Sequence, residues 1–483
     1  MSRSLPENPN LEYLKKEAKE LRRTMPQGKL AEAQHALAQE YGFASWAKLK
    51  AHVEALSLTP ALALTAAVRA MDANRVRELL ERHVELRARI DAPLENYGEG
   101  QHALFAAVQR SDRATIDVLL AAGADIRKRT EWEAGGFGVL DDCDPSLVEF
   151  LTERGAQIDV HSAARLGLME KLREFVAADP DVVDARGADG RTALHFASTA
   201  EVAEFLLERG AEMDARDGRY DSTPAQHMLR VEHWRHYPHD RQPIARYLVS
   251  RGCRTDLLMA AALGDLDLVR RLLDADPKCI AMSVSKEWFP NGTVYSALLG
   301  ERRTAHAVAR DFRHEEVYQL LLSRTPVPLK LSLACDLGDE AAFGELLALR
   351  PDLAGTLTEE ERRKLPDAAQ SGNTRAVRLM LEAGWPVDTA GEMGATALHW
   401  AGFNGNVEMA REILRFRPSL EIKSKDYAGT ALSWAIFGSG NGWNREKGDY
   451  AGTVEALLEA GAKVPPEAEA LEPSDAVLEA LGL

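Results

Sequence analysis

The sequence predicts an all-α protein built from many pairs of short helices. The phrase TALH occurs at residues 192–195 and again at 396–399. In the segment that begins at residue 394, apolar residues recur at helical spacing, and a glycine separates two helical parts. A helix pair that recurs along a chain can bury its apolar face only against its neighbours, so the repetition predicts a solenoid.

A second recurring element is an ending that resembles LLEAGA. Its six copies are VLLAAGADI (118–126), FLTERGAQI (150–158), FLLERGAEM (205–213), YLVSRGCRT (247–255), LMLEAGWPV (379–387) and ALLEAGAKV (456–464). Several of the spacings lie near multiples of the roughly 33 residues of an ankyrin unit. The glycine of each ending fits a helix C-terminus that requires a positive φ.

The segment GATALHWAGFNGNVEMAREIL (394–414) resembles the ankyrin repeat family, with alanine where the family usually has proline. The resemblance covers about four fifths of the chain and implies an ankyrin-repeat solenoid of about twelve helix-turn-helix units with helical caps. It also implies that His195 and His399 link neighbouring turns by hydrogen bonds. We expect a helical leader or cap at 1–60, the repeat array at 61–465 and a capping helix at 466–483; the leader is similar to those of bacterial ankyrin proteins.

Composition limits the function classes. The chain has 483 residues, 45% hydrophobic and 28% charged, which is typical of a soluble protein. Its net charge of −16 disfavours a nucleic-acid partner. The four cysteines lack paired spacing, and we find neither a signal-peptide core nor an apolar run long enough to span a membrane. We therefore expect a cytoplasmic protein with no membrane association.

In the family that the chain resembles, partners usually bind in the concave groove formed by the first helices and the turn tips. Segments of this sequence that depart from the repeat pattern are therefore the candidate binding sites. The first departure is an insert of about eight residues within 222–249. It carries the low-ranked metal candidates His233, His236, His239 and Asp240, and the candidate contact residues Trp234 and Tyr237. Packing or surface decoration is the favoured interpretation, and no metal is expected.

Two further inserts carry aromatic residues. The excursion at 282–303 contains Trp288, Phe289 and Tyr295, which either contact a partner or belong to the core. The glycine-rich stretch GSGNGWNREKGDY is predicted to be a loop, presenting Trp443, Asn444, Arg445, Asp449 and Tyr450. With neighbouring first-helix residues it suggests an aromatic pocket, although two of them could simply stack one repeat on the next. These neighbours are Trp400, Phe403, Asn404, Trp434 and Phe437, of which Trp400 and Trp434 are the stacking pair.

The sequence lacks a phosphate-binding loop, a nucleophile elbow and a His-Glu-x-x-His pattern. We therefore predict a non-catalytic scaffold that binds another protein, with no cofactor and no catalytic residues. Two alternatives stay open. The groove could bind a small, sugar-like ligand, or it could be a hydrolase that uses groove histidines or carboxylates such as Asp311, Asp426 and Asp449.

Overall fold

The computed structural model describes residues 3, 5–6, 11–25, 30–46, 48–50, 53, 58–98, 100–230 and 240–483. The chain forms two compact units, Met1–Cys253 and Arg254–Leu483. Across the described residues, β pairing is limited to three isolated antiparallel bridges, Pro93 to His102, Ser283 to Thr304 and Ala390 to Thr396. The predicted all-α fold class is confirmed.

The first unit consists of short helices joined by tight turns. Its α-helices are Leu11–Thr24, Leu30–Glu40, Pro60–Arg69, Ala73–Arg82, Val84–Ala88, Ala103–Gln109, Arg113–Ala121, Val148–Glu153, Val160–Leu166, Met169–Ala178, Ala193–Phe196, Ala200–Glu208 and Gln242–Ser250. Its 3-10 helices are Pro145–Leu147, Pro180–Asp184, Ala188–Gly190 and Gln226–Met228. The predicted leader helix buries Leu14 and Ala18 in a small core of its own, with Leu49 and Val53.

The second unit has the same construction. Its α-helices are Leu257–Leu263, Leu266–Ala275, Tyr295–Leu298, Ala305–Asp311, Glu315–Arg324, Val327–Leu337, Glu340–Leu349, Glu359–Gln370, Thr374–Glu382, Ala397–Phe403, Val407–Leu414, Ala431–Asn441, Tyr450–Glu459 and Asp475–Leu481. Its 3-10 helices are Pro277–Ala281, Leu353–Thr356, Glu392–Gly394 and Ala468–Leu471. One continuous apolar core runs from Leu331 to Val477.

Each repeat of the second unit has a first and a second helix. First helices of adjacent repeats pack side by side from Val327–Leu337 to Ala431–Asn441, and second helices do so from Thr374–Glu382 to Tyr450–Glu459. The first helices relevant to the site are Ala305–Asp311, Val327–Leu337, Glu359–Gln370, Ala397–Phe403 and Ala431–Asn441. We call the surface that these five helices share the first-helix face.

Backbone geometry explains two features of the sequence pattern. Gly405, between the first and second helices of its repeat, has φ 60°, and Gly461, in an AGA ending, has φ 101°. A side chain is disfavoured at such angles, so glycine is the residue that permits these turns. None of the helices within the described residues is long and apolar enough to cross a membrane.

Candidate partner-binding surface

Six aromatic side chains form one contiguous group on the first-helix face, which we call the aromatic surface. Its members are Trp400, Phe403, Tyr427, Trp434, Phe437 and Trp443. Phe403 lies at its centre, with ring centroids 4.6 Å from Trp443 and 5.8 Å from Trp434. The rings of Trp400 and Trp434 meet edge to face at 5.1 Å, a favourable geometry for aromatic pairs. The structure thus brings the predicted first-helix aromatics together.

The aromatic surface has a buried base and an exposed top. Trp400 is only 2% exposed, and Trp434 is also buried. Phe437 is 44% exposed, whereas Tyr427 and Trp443 are each 69% exposed. Trp400 and Trp434 therefore pack repeat against repeat, and the rings above them contact solvent.

A hydrogen-bonded turn fixes the base. The backbone N–H of Thr396 donates to His399 Nδ1 at 3.2 Å, and His399 Nε2 donates to the carbonyl of Gly429 in the next repeat at 3.1 Å. This confirms the structural role predicted for His399. Burial lowers the pKa of His399, so the neutral ring that makes these bonds is favoured. The His399 ring also meets Trp434 edge to face at 5.4 Å.

The insert that follows Phe437 differs in part from the predicted loop. Helix Ala431–Asn441 continues through Gly438 and Gly440, so the expectation that this stretch is loop from its first glycine is wrong. The glycines are needed for close packing, not for a turn. A Cβ at Gly438 would lie 2.6 Å from the carbonyl oxygen of Phe403, and one at Gly440 would lie 2.0 Å from that of Glu472.

Beyond the helix, the insert anchors its exposed tryptophan to the preceding repeat. Trp443 Nε1 donates to Asn404 Oδ1 at 3.1 Å. Asn444 Nδ2 donates to the carbonyl oxygen of Asn404 at 2.7 Å. Asn404 is itself buried. Asn404 therefore positions the ring of Trp443, and Arg445 follows it as an exposed residue.

Two residues expected on this loop have structural roles instead. Tyr450 is buried at the start of helix Tyr450–Glu459, where its hydroxyl donates to the carbonyl of Phe403 at 2.9 Å. Asp449 is the N-cap of the same helix and accepts from the backbone N–H of Gly452. The prediction that the loop presents Tyr450 is wrong, because the ring fills a space that neighbouring glycines leave open.

The insert at 282–303 lies against later repeats of the same unit. Trp288 is half-buried, and Tyr295 is fully buried with its hydroxyl donating to Asp256 at 2.9 Å. Arg302 reaches further and pairs with Asp367 at 2.7 Å and with Glu392 at 3.2 Å. The first helix Glu359–Gln370 and the 3-10 turn Glu392–Gly394 thus receive charged contacts from this insert.

The histidine-rich insert lies outside the described residues. This concerns His233, Trp234, His236, Tyr237 and His239, whereas Asp240 is described and exposed. Elsewhere in the described chain, His195, Asp217 and His227 bring ligand-type atoms within 4.8 Å of one another.

Hydrogen bonds explain this buried group. His195 Nε2 donates to the carbonyl of Ser222 at 3.2 Å, and its Nδ1 accepts from the backbone of Thr192 at 3.1 Å. His227 Nε2 donates to Asp217 Oδ2 at 3.0 Å. Both nitrogens of His195 are thus engaged, which confirms its predicted structural role, and we interpret the group as a buried polar network.

Sequence reasoning missed the polar neighbours of the aromatic surface. Gln370 accepts from Arg302 at 3.3 Å through its side chain, and its carbonyl accepts from Asn404 Nδ2, also at 3.3 Å. Tyr427 was missed too, since it lies in a turn tip, where repeat periodicity gives no signal. Aligning the repeats on their second-helix N-caps would have identified Gln370 as the counterpart of Phe403.

Comparison with known proteins agrees with this architecture. A family model described as "Ankyrin repeats (3 copies)" matches residues 365–467, and one described as "Ankyrin repeat" matches 189–218. The two matches include both TALH phrases and, in the second unit, the first helices Ala397–Phe403 and Ala431–Asn441.

One relative is the palmitoyltransferase Hip14 of Drosophila melanogaster, which is 26% identical over 124 residues. The alignment spans 26% of this chain and 18% of that protein, so it does not establish catalysis here. Both family matches, the helix-pair architecture and the histidine-centred turns lead to the same conclusion: the chain contains ankyrin repeats, at residues 189–218 and 365–467.

Proposed function

We propose that this protein is an interaction scaffold, and that the first-helix face of its second unit binds a partner protein through the aromatic surface. The observation that carries the proposal is the juxtaposition of three exposed rings, Tyr427, Phe437 and Trp443, on a base of buried ones. Aromatic side chains that are rigidly held and accessible are typical interface anchors.

The exposed rings are held in place before any partner binds. Trp443 is held by its hydrogen bond to Asn404 and by the Phe403 ring, and Phe437 stacks on Phe403 at 6.4 Å. Binding a partner therefore orders few additional rotamers, which lowers the entropic cost of association. Apolar area left exposed at such a position favours burial against another protein.

The proposal is tested by affinity capture from a cell lysate with the full-length protein. The double variant Phe437→Ala, Trp443→Ala removes the exposed rings and keeps Trp400 and Trp434. The control is Leu349→Ala, because Leu349 is 79% exposed at the end of a second helix. We expect specific captured proteins that are lost with the double variant and retained with the control.

Capture that is unchanged in the double variant would contradict the assignment of binding to the aromatic surface. Thermal melting of all three proteins accompanies the experiment. Loss of capture counts in favour of the proposal only if the double variant keeps a folded second unit.

A further inference from the structure

The first-helix face changes character along the second unit. Three residues before the N-cap of each second helix, successive repeats carry Asp311, Asp336, Gln370 and Phe403. In the last repeat, Phe437 follows Thr430 as Phe403 follows Thr396. The residue at this position is therefore a carboxylate in the first two of these repeats, an amide in the third, and a phenylalanine in the last two.

A neighbouring position, which is Val308 and Leu333 in the two earlier repeats, changes from a carboxylate to tryptophan in the last three. Trp400 and Trp434 each lie four residues after the threonine that begins their repeat, and Asp367 occupies the equivalent place before Gln370. Polar contacts connect the middle of the face, at helix Glu359–Gln370, to its aromatic end. Arg302 bonds to Asp367 and Gln370, and Asn404 bonds to both Gln370 and Trp443.

The carboxylates are not equally neutralised. Asp311 is paired with Arg303, and Asp367 with Arg302. For Asp336, the charged groups that face it are Lys364, Asp367 and Arg303. Burial raises the pKa of Asp336 to about 6, and the charge of Asp367 adds to the effect, so the two cations do not offset the cost of ionising Asp336. Within the described residues Asp336 forms no ion pair, unlike Asp311 and Asp367, and it is only half-buried, so a cation supplied by a partner could pair with it.

We infer that the partner is a protein segment that places a lysine or arginine beside Asp336 and an apolar or aromatic side chain on Phe437 and Trp443. This inference rests on the proposed function and specifies the chemistry of its partner. The basic end of the segment is favoured by charge complementarity with Asp336, and its apolar end is favoured by burial of the exposed rings of Phe437 and Trp443.

The spacing between the two ends sets the length of the segment. Neighbouring packed helices lie roughly 10 Å apart, so Asp336 and the helices that carry Phe403 and Phe437 are separated by about 20 to 30 Å. An extended chain advances about 3.3 Å per residue. The basic residue should therefore stand about six to nine positions from the apolar one.

The test uses a displayed library of random 16-residue peptides, selected on the immobilised full-length protein. Enriched peptides are then synthesised, and their affinity is measured by fluorescence anisotropy. We expect sequences that pair lysine or arginine with an aromatic or large aliphatic residue at this spacing. Phe437→Ala should weaken binding about thirtyfold, as loss of an interface anchor does.

The charge is tested separately. Asp336→Asn preserves shape and should weaken binding about fivefold, the effect of losing one partly exposed ion pair. The matched control is Asp267→Asn on a second helix, where the side chain is exposed, and it should leave affinity unchanged.

The outcomes separate the two proposals. Two results would overturn this inference and leave the aromatic surface as the binding site. In the first, the selected peptides bind more weakly to the Phe437→Ala variant but contain no basic residue. In the second, their affinity is the same for the parent and the Asp336→Asn variant. Selection that yields no peptide sensitive to Phe437→Ala would overturn both.

Discussion

The two TALH turns of this chain have the same local structure and different surroundings. In the first unit the N–H of Thr192 donates to His195 at 3.1 Å, and in the second that of Thr396 donates to His399 at 3.2 Å. In both, the other ring nitrogen donates to a carbonyl of the next repeat. In both places the TALH phrase therefore links one repeat to the next through the hydrogen bonds of its histidine.

His195 and His399 differ in the side chains that contact their rings. The ring of His195 meets His227 at 5.5 Å within a buried network in which Arg241 donates to the carbonyls of both histidines. The ring of His399 instead meets Trp434, the base of a surface that opens to solvent. The same joint thus supports a closed polar core in one unit and an accessible aromatic surface in the other. The residues around the repeat phrase, not the phrase itself, distinguish the two units.

The largest expected effect is the loss of the closed polar core. Asp217 accepts hydrogen bonds from His227 and from the backbone of Tyr220 and Ser222, all within a buried site. Asp217→Ala leaves a buried imidazole without its carboxylate, so it should destabilise the first unit by about 4 kcal/mol. Native-state hydrogen exchange of helix Ala200–Glu208 measures this loss. Asp181→Ala, at an exposed site, should change protection by less than about 0.5 kcal/mol, and an equal effect of both variants would contradict the account.

The second prediction concerns the base and the top of the aromatic surface. Trp400→Ala removes a buried ring between repeats and should lower the free energy of unfolding of the second unit by about 3 kcal/mol. Trp443→Ala removes an exposed ring with one hydrogen bond and should cost about 1 kcal/mol. Urea unfolding of both variants tests the difference. Equal destabilisation would show that Trp443 is a structural residue.

The smallest effect is a dependence of stability on pH. Burial lowers the pKa of His399, and burial together with His227 lowers that of His195 well below its usual range. Below about pH 6.5 the unfolded chain therefore binds more protons at these histidines than the folded chain, so their contribution to stability falls as the pH falls.

Glutamine variants isolate these contributions. His195→Gln should reduce the pH sensitivity of the first unit between pH 7 and 5 more than His399→Gln reduces that of the second, because His227 and Arg191 lower the pKa of His195 in addition to burial. Hydrogen exchange at the two pH values, corrected for intrinsic rates, measures both slopes. If the stability of either variant depended more steeply on pH than that of the parent, the prediction would be contradicted.

The sequence predicted the parts of the structure that follow from repetition. The helix pairs, the positive-φ glycines and the roles of His195 and His399 all result from spacing and local hydrogen bonding. Tyr450 was misplaced, because its burial depends on space left by Gly405, in a turn of the preceding repeat, and by Gly438, in helix Ala431–Asn441. The carboxylates near Gln370 were also missed as part of the face, since their significance appears only when Arg302 and Asn404 connect them to it.

The central claim is that the first-helix face of the second unit is where a partner binds. The most direct measurement is site-specific photo-crosslinking in lysate, with a photoreactive amino acid placed at position 437 or, as control, at position 349. Both positions are exposed, but only the first lies on the aromatic surface. The account predicts a discrete crosslinked protein from position 437 that is absent from position 349. Adducts only from position 349, or the same adducts from both positions, would contradict it.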